Sequence, residues 1–551
     1  LILAFPDFEF SLLALFALVP LFFAIEREKD SVVKSFLTGW LFGMIFFFGT
    51  CWWLTFAPIT YAGMPWLLVY FFMLCAASVV GILPGIFGAL FSILLKRFGS
   101  YAILSAPFLW IFTEFLRMWL TGNNWNALGY SQAFAPTKII QQASVGGVYM
   151  VGFSVVMLNI LIFCLLNLKK IWAHLSKKQP ELIKEGPSDK QRGYFVLICL
   201  GLFVSSIISG LFLSSHNTLS EPFSNSPVYV IAVQPNVPMS GLTYEKYQQV
   251  LAQHIRLAEK AFDLNLSKFV EAQMQSRSKS ETFEESQKFY TEFFKKQFQD
   301  KPKIIIFPES PMIFQYGRDE DLQKFLRDFA VRNNASILFN SAEMTKDNKR
   351  ALNSAVMINE KGEKIAQYDK IHLLPFGEYI PFPEPIASQM PAFVGNFEFG
   401  NEYDLLPIGD AKGGVMICFE SHFGELSREY SRRGADVLIE MTNDGYLGNT
   451  PVLRQHLANS VFRAVETNRP LLRVTNVGVT AYINERGEIS DAADVYTEAS
   501  RVWTVSKSDG KQTIYVKYGD WFAWLCSLVS LALLFGSYFY KKSNLNTDSQ
   551  K

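Results

Sequence analysis

The sequence has few charged residues and no closely spaced pair of cysteines. Only 18% of its 551 residues are charged, and 51 basic side chains against 50 acidic ones leave a net charge of +1. A balance this even gives no global attraction to nucleic acid, so no nucleic-acid partner is expected. None of the six cysteines stands in a CxxC spacing, which argues against a disulfide framework and against a structural zinc site.

Apolar residues are plentiful, at 50% of the chain, and they gather into long runs. A helix that crosses a membrane needs about 20 mostly apolar residues. Seven segments meet this requirement, and we predict spans near residues 9–25, 34–57, 65–95, 101–120, 143–166, 194–214 and 518–540. Because the chain starts inside apolar sequence, we also expect its first residues to be the end of a truncated further span.

The charges of the short loops predict an orientation for these spans. Lys and Arg concentrate in cytoplasmic loops, and here they occupy every second loop, at residues 27–29, 96–97, 169–192 and 541–542. The long interval between the last two spans is then on the opposite side of the membrane. We predict three parts: a helical membrane bundle over 1–216, an external domain over 217–510, and a final span with a cytoplasmic tail over 511–551.

The external interval alternates short apolar strands with amphipathic helical stretches, which predicts an α/β domain. The predicted strands are 228–233, 303–307, 335–340, 355–358, 414–418, 437–441, 471–475 and 479–483. The polar stretch Ser267–Lys301 is expected to be a solvated helix or an insertion outside the core.

Cys418 is the single thiol of the external interval, since the other five cysteines fall inside predicted spans. It ends an apolar strand and precedes a predicted helix over Gly424–Arg433. Backbone N–H groups at a helix start would favour its thiolate and could receive an oxyanion. A lone buried cysteine is, however, more often structural.

Three further residues favour chemistry over that structural interpretation. Glu309 ends the strand Lys-Ile-Ile-Ile-Phe-Pro-Glu, Lys370 lies among aromatic and aliphatic residues, and Glu378 follows in a Pro/Gly-rich loop. Taken singly, they read as a helix cap, a snorkelling lysine and a solvated acid. Together with Cys418 they supply what covalent acyl transfer needs, namely a proton acceptor, a nucleophile and an oxyanion stabiliser.

The order of these motifs resembles a known catalytic set. Phe-Pro-Glu309-Ser, Tyr-Asp-Lys370-Ile-His and Ile-Cys418-Phe-Glu are similar to the Glu-Lys-Cys set of the nitrilase superfamily. With the membrane spans, and with Asn443-Asp-Gly-Tyr-Leu-Gly and Arg469-Pro-Leu-Leu-Arg downstream, the whole chain looks like the bacterial apolipoprotein N-acyltransferase family. The resemblance implies an αββα sandwich outside a multi-span α-helical membrane bundle.

The resemblance also implies roles for individual residues. Cys418 is the acyl-carrying nucleophile, Glu309 the general base and acid, and Lys370 the stabiliser of the oxyanion. Glu378 and Glu420 are implied supports, the first orienting Lys370 and the second holding the loop after the nucleophile, although each reads equally well as a structural acid.

Two departures from the family pattern affect the surroundings of the nucleophile. Phe419 follows it where some members have tyrosine, so any hydroxyl contact there is lost. The arm over 234–244 contains no tryptophan, and Tyr244 or Tyr247 is the expected substitute.

The reaction implied by the resemblance has two steps and needs neither metal nor cofactor. A phospholipid donates an acyl chain to Cys418, and the α-amine of a diacylated apolipoprotein accepts it, at the periplasmic face of a bacterial inner membrane. Both substrates are held in the bilayer by their acyl chains. The aromatic segments 379–383 and 390–397 are the candidate lipid-facing elements.

Two alternatives remain open at this point. A membrane-tethered nitrilase-like amidase would use the same residues but let water resolve the thioester, releasing a free acid. A transporter or receptor with an external ligand-binding domain belongs to another class, and the scarcity of charged residues inside the spans argues against it.

Overall fold

The computed structural model describes residues 1–175, 201, 228–240, 242–275, 301–309, 314–381 and 397–548. The predicted span 194–214 lies, apart from residue 201, outside these residues. The chain forms two compact units, which are treated separately below. The first comprises Leu1–Asn217, Thr450–Ala458 and Thr513–Lys551, and the second comprises Thr218–Asn449 and Asn459–Gln512. Thr450–Ala458 thus groups with the first unit although it lies within the predicted range 217–510.

The described helices and strands are numbered in chain order. The α-helices are α1 (Val19–Arg27), α2 (Val32–Cys51), α3 (Phe56–Thr60), α4 (Trp66–Phe98), α5 (Ala106–Thr121), α6 (Ala143–Leu175), α7 (Tyr244–Gln275), α8 (Glu320–Asn333), α9 (Gly424–Arg432), α10 (Val452–Thr467), α11 (Ile514–Tyr518) and α12 (Trp521–Asp548). The strands are β1 (Val228–Gln234), β2 (Lys303–Ile306), β3 (Ser336–Met344), β4 (Ala351–Ile358), β5 (Lys364–Asp369), β6 (Phe397–Glu398), β7 (Leu405–Ile408), β8 (Ala411–Ile417), β9 (Val437–Thr442), β10 (Leu471–Thr475), β11 (Ala481–Ile483), β12 (Ile489–Ser490) and β13 (Ala499–Val505).

The first unit is helical. Among the described residues, five stretches are long and apolar enough to cross a membrane, and they coincide with predicted spans: Val32–Thr60, Trp66–Phe98, Tyr101–Thr121, Lys138–Leu166 and Trp521–Phe539. Helices α2 and α4 approach closely because small residues face each other, as is common between membrane helices. A Cβ added to Gly39 would lie 2.2 Å from the carbonyl oxygen of Pro84.

The predicted span 9–25 is wrong as a continuous helix. A 3₁₀ turn over Ser11–Leu15 is followed by α1, which has nine residues, a length of about 13 Å and too short to cross a bilayer. The break is held by Asn159, a buried residue of α6. Its side chain accepts a hydrogen bond from the N–H of Leu18 at 2.8 Å and donates one to the carbonyl of Ala14 at 2.8 Å. A distant amide therefore satisfies the backbone groups that a helix would have paired.

The second unit is built on two β-sheets. The first sheet has seven strands in the order β13-β1-β2-β3-β4-β5, with β6 paired to β4, and the second has six in the order β12-β11-β10-β9-β8-β7. Strands β1, β2 and β3 are parallel neighbours, as are β8, β9 and β10. Helices α7 and α8 contribute their apolar faces to the core beside the first sheet. The prediction of a bundle of apolar α-helices together with an α/β domain is confirmed.

The sheets position the candidate site through the ends of their strands. Side chains that follow the carboxyl ends of neighbouring parallel strands meet at one edge of a sheet. Glu309 comes shortly after β2, Cys418 directly after β8, and Asn443 directly after β9. Lys370 follows β5, which is paired antiparallel with β4. Glu309 and Lys370 thus lie at strand ends of the first sheet, and Cys418 and Asn443 at strand ends of the second.

Candidate active site

Cys418 stands at a sharp turn between β8 and a 3₁₀ turn over Cys418–His422. Its φ of 55° lies in the left-handed region, which residues other than glycine adopt rarely and at a cost. The turn makes the thiol project from the strand end, and the residue remains partly accessible. A partly accessible thiol on a strained turn is the arrangement expected of a nucleophile.

Glu309 is bound through both carboxylate oxygens. Oε1 accepts a hydrogen bond from the side chain of Asn353 at 3.1 Å, and Oε2 accepts one from the backbone N–H of Asn443 at 3.2 Å. The carboxyl group also interacts with the Cys418 thiol, and this interaction lowers the pKa of Glu309. With 13% of its side chain exposed, Glu309 is held in one orientation beside the sulfur.

Lys370 brings a positive charge to the same place. Its side chain is 1% exposed, and Nζ lies 2.8 Å from Oε2 of Glu378 and 3.8 Å from Oε1 of Glu309. Glu378 is fixed in turn, because its Oε2 accepts the backbone N–H of Leu374 at 2.7 Å. One buried ammonium is therefore shared between two carboxylates.

Asn353 also belongs to this cluster, although no sequence motif pointed to it. The side-chain amide donates to Glu309 and, at 2.7 Å, to Oε1 of Glu378, while the backbone carbonyl accepts the N–H of Lys370 at 2.8 Å. Its own Oδ1 accepts a hydrogen bond from Asn340 at 2.7 Å. Asn353 lies inside β4 rather than at a strand end, so it becomes a candidate only when the pairing of β4 with β5 is known.

Burial and neighbouring charges set the protonation of the cluster. Burial raises the pKa of Glu309 above its usual range; the ammonium of Lys370 opposes this, and the carboxylate of Glu378 adds to it. For Lys370, burial alone would lower the pKa, but Glu378 and Glu309 outweigh it, so its pKa is raised and the lysine is charged at neutral pH. It serves as a cation and not as a base.

The Cys418 thiol is protonated in this arrangement. Burial raises its pKa well above that of a free cysteine, and the negative charge of Glu309 raises it further, against the lowering effect of Lys370. The expectation that a helix start would favour the thiolate is wrong, because burial and the charge of Glu309 together raise the pKa of the thiol. A protonated thiol must lose its proton before it can react as a nucleophile, and the Glu309 carboxylate is close enough to affect its pKa.

Glu420 links the loop that contains Cys418 to the loop that contains Lys370. Its Oε1 accepts hydrogen bonds from the hydroxyl of Tyr368 at 2.7 Å and from the N–H groups of Ile371 at 2.7 Å and His372 at 3.0 Å. Its Oε2 accepts the N–H of Ile417 at 2.8 Å. The fully buried carboxylate thus fixes the residues that flank Lys370 and Cys418.

Of the other residues predicted to surround Cys418, only some lie at the site. Phe419 points into an aromatic group, with ring centroids 5.3 Å from His422 and 5.3 Å from Phe423. The hydroxyl of Tyr247 donates to Asp319 at 3.1 Å, so this candidate for the missing tryptophan is engaged elsewhere. The arm residue that reaches the cluster is Met239, whose sulfur accepts a hydrogen bond from the Asn443 amide at 3.3 Å.

Some of the predicted elements lie outside the described residues. The side chain of Tyr244, residues 276–300 of the polar stretch, and residues 382–383 and 390–396 of the lipid-facing segments lie outside the described residues. Within the described ranges, no group of three or more His, Cys, Asp or Glu side chains is placed to hold a metal ion.

Two family models match the chain. Residues 1–161 match the apolipoprotein N-acyltransferase N-terminal domain, and residues 270–515 match the carbon-nitrogen hydrolase family. An apolipoprotein N-acyltransferase of Geobacter metallireducens is 30% identical over 549 residues, which cover 98% of this chain and 94% of that protein. One of Pasteurella multocida is 25% identical, with coverages of 97% and 92%.

Among solved structures, Saccharomyces cerevisiae Nit3, of the nitrilase superfamily, is similar at 15% identity and a TM-score of 0.33, covering 52% of this chain and 93% of its own. A likeness of that size carries no argument. The relatives that match over nearly the full length are apolipoprotein N-acyltransferases, and they favour acyl transfer to lipoproteins over the hydrolytic alternative. With its apolar helices, the protein is a multi-pass protein of the inner membrane. The chain therefore belongs to the apolipoprotein N-acyltransferase family.

Proposed function

We propose that the chain takes an acyl chain from a phospholipid, carries it as a thioester on Cys418, and delivers it to the N-terminal α-amine of a diacylglyceryl-cysteine apolipoprotein. One observation carries the proposal. The Cys418 thiol interacts with Glu309 closely enough to lower the pKa of that carboxyl group, and the ammonium of Lys370 lies 3.8 Å from the same carboxylate. A nucleophile, its base and a cation thus share one buried cluster.

The first half-reaction begins with removal of the thiol proton. Glu309 takes this proton as the sulfur attacks the ester carbonyl of the phospholipid, and a C–S bond forms. When the tetrahedral intermediate collapses, the C–O bond to the glycerol breaks. Glu309 returns its proton to that oxygen, and a lysophospholipid leaves. The raised pKa of Glu309 suits both transfers, since it makes the carboxylate a stronger base than an ordinary glutamate.

Lys370 stabilises the negative charge that develops on the carbonyl oxygen. Its raised pKa keeps it charged throughout, and Glu378 and Asn353 hold it in a fixed direction. A preorganised cation in a buried site stabilises a developing oxyanion more than water does. Lys370 donates hydrogen bonds in this role and gives up no proton.

The second half-reaction uses the same groups. The neutral form of the lipoprotein amine, whose unperturbed pKa is about 7.7–8.0, attacks the thioester carbonyl. Glu309 accepts a proton from the nitrogen, the C–S bond breaks, and the sulfur regains that proton. An amide replaces a thioester, so the transfer needs no external source of energy.

The external domain is proposed to face the periplasm. Every second loop of the bundle carries the basic residues that are typical of cytoplasmic loops. The domain lies in the sequence between two predicted spans, in an interval that this alternation assigns to the opposite side of the membrane. A single cysteine introduced at Asp347, an exposed turn residue, should react with a membrane-impermeant maleimide in intact spheroplasts. Labelling only after the membrane is opened would contradict this orientation.

The proposed reaction is tested by mass spectrometry. The full chain in phospholipid micelles should acquire an acyl group on Cys418 that hydroxylamine removes, and a diacylated lipopeptide should then gain an amide-linked chain. Cys418→Ala should show neither product, while Cys75→Ala, at the other accessible described cysteine, should show both. Acylation that persists in Cys418→Ala would exclude this carrier. Release of free fatty acid in place of the amide would return the hydrolytic alternative.

A further inference from the structure

Asn476 is a buried residue beside the candidate site that the proposed mechanism does not use. Strands β9 and β10 are parallel neighbours, and Thr442 is paired with Thr475 in their register. The residues that follow these strands, Asn443 and Asn476, are both buried. The N–H of Asn476 donates to the carbonyl of Thr442 at 2.9 Å. The two asparagines therefore lie next to each other where the strands end.

The side-chain amide of Asn476 makes three hydrogen bonds. Its Oδ1 accepts the N–H of Val237 at 2.7 Å, and its Nδ2 donates to the carbonyl of Val237 at 2.9 Å. Nδ2 also donates to Oδ1 of Asn443 at 2.8 Å. An amide nitrogen carries two hydrogens, so both are used. Because Val237 is bonded through both of its backbone groups, it fixes the direction in which the amide faces Asn443.

Asn443 is in turn bonded to the carboxylate of Glu309. Its backbone N–H donates to Oε2 of Glu309 at 3.2 Å. This N–H lies just beyond β9 and is not part of the ladder between the strands. The side chain of Asn443 is held by Asn476 and by a hydrogen bond to the sulfur of Met239 at 3.3 Å. The position of the N–H therefore depends on these side-chain anchors as well as on the end of β9.

The N–H of Asn443 favours the charged form of Glu309. A hydrogen bond donated to a carboxylate stabilises the ion and lowers its pKa. Burial and the charge of Glu378 act in the opposite direction and raise the pKa of Glu309. Without the N–H in place, the pKa of Glu309 would rise further, and the carboxylate could accept a proton only at higher pH.

We propose that Asn476 is a positioning residue, which holds the backbone N–H of Asn443 on Oε2 of Glu309 and so keeps this carboxylate ionised and directed for its role as a base. The role is indirect, since the hydrogen bonds of the Asn476 side chain go to Val237 and Asn443. Asn476 exchanges no proton in this role. The inference rests on the proposed role of Glu309 as the base for Cys418.

The test follows the alkylation of Cys418 by iodoacetamide in the full chain in detergent, without lipid substrate, across a pH series. Carbamidomethylation is read by peptide mass spectrometry. Because only ionised Glu309 can accept the thiol proton, the rate should fall on the acid side, and Glu309→Gln should no longer show this acid limb. Asn476→Ala should move the limb upward by about half to one pH unit, which is about three- to tenfold slower alkylation at a pH below the limb.

Two further variants and a control show whether the effect depends on Asn443. Asn443→Ala removes the acceptor of the Asn476 amide and should move the limb by the same amount, and the double variant should move it no further. Gln234→Ala is the matched control, because this amide is also fully buried and donates to the carbonyls of Asp494 at 2.7 Å and Thr497 at 2.9 Å. It should lower the unfolding temperature and leave the limb at the wild-type pH.

Four results would overturn the inference. An Asn476→Ala protein that keeps the wild-type limb, at whatever temperature it unfolds, would show a structural role alone. A limb that moves as far in Gln234→Ala would show a general loosening of the domain. A double variant whose shift is the sum of the two single shifts would show that Asn476 acts apart from Asn443. A limb that persists in Glu309→Gln would belong to another group.

A failure of Asn476→Ala to fold leaves the decision to Asn443→Ala, in which an unmoved limb refutes the proposal. The proposed function and this inference fail in different ways. If Cys418 is not the acyl carrier, the wild-type protein forms no hydroxylamine-sensitive acyl group, while the alkylation limb still responds to Asn476→Ala. If only the role of Asn476 is wrong, the acyl group forms and the limb of Asn476→Ala coincides with that of the wild type.

Discussion

Replacing Lys370 with methionine should remove both activity and stability, in a way that depends on pH. The ammonium is 1% exposed and lies 2.8 Å and 3.8 Å from the carboxylates of Glu378 and Glu309. Without it, the two carboxylates share only the amide of Asn353 as a common donor. Removing one partner of a buried ion pair typically costs about 3–5 kcal/mol, because a buried charge is left uncompensated.

The pH dependence of the stability loss follows from the pKa values of Lys370 and Glu309. Glu378 and Glu309 raise the pKa of Lys370, so its stabilising effect is fully present below about pH 10.4, the pKa of a free lysine. In the methionine variant the pKa of Glu309, already raised by burial, rises further. An acid whose pKa is raised in the folded state destabilises that state above its unfolded pKa, about 4.3. The loss should therefore be small near pH 4 and grow towards neutral pH.

The assay is thermal unfolding of the full chain in detergent at about pH 4.5 and about pH 7.5. Taking about 2–4 °C per kcal/mol, the variant should unfold at least about 6 °C below wild type at the higher pH and much closer to it at the lower. Lys364→Met is the matched control. This lysine is 37% exposed and lies 3.4 Å from Glu343, so its loss should cost less than about 1 kcal/mol.

Acylation of Cys418 by phospholipid should also be lost at neutral pH in Lys370→Met, since a protonated Glu309 cannot accept the thiol proton. An unfolding difference that is equal at both pH values, or no larger than that of the Lys364 control, would refute the reasoning. Acylation at the wild-type rate would remove Lys370 from the proposed mechanism.

Three further changes probe the same cluster. Glu378→Gln removes a charge that raises the pKa of Glu309, so the acid limb of the acylation rate should move to lower pH; a limb that stays or moves up contradicts this. Glu420→Gln places an amide N–H donor against backbone N–H groups that donate to the carboxylate in the wild type. The free energy of unfolding, measured by equilibrium denaturation, should therefore fall by about 1–3 kcal/mol. An unchanged free energy of unfolding would show that the carboxylate is dispensable for stability. Gly478→Ala puts a Cβ 2.2 Å from Oδ2 of Asp444, the oxygen that is paired with the buried Arg473 at 2.7 Å; the unfolding temperature should fall, and a wild-type unfolding temperature would show that Asp444 need not stay in place.

The sequence predicted the residues that follow apolar strands and did not predict those inside them. Cys418 and Glu309 could be proposed because a reactive or acidic residue after an apolar strand stands out in the sequence, and Lys370 because it lies among aromatic and aliphatic residues. Asn353 occupies the middle of β4, and only the antiparallel pairing with β5 brings it to the site. No local pattern encodes such a pairing.

Two other expectations failed because distant residues decide them. The predicted span 9–25 has ample apolar sequence, but Asn159, far along the chain, bonds the backbone where the helix is interrupted. The thiolate expected at Cys418 depended on a helix start, whereas burial and the charge of Glu309 raise the pKa of the thiol. Burial and the position of a neighbouring charge are properties of the folded chain, and the order of residues does not state them.

The backbone conformation at Cys418 lowers the stability of the protein. A left-handed conformation is unfavourable by roughly 1–2 kcal/mol for a residue with a side chain and is open to glycine at little expense. Selection for a durable fold alone would thus place glycine at 418, where φ is 55°. A Cys418→Gly protein is therefore expected to lose acylation and to unfold at a higher temperature than the wild type.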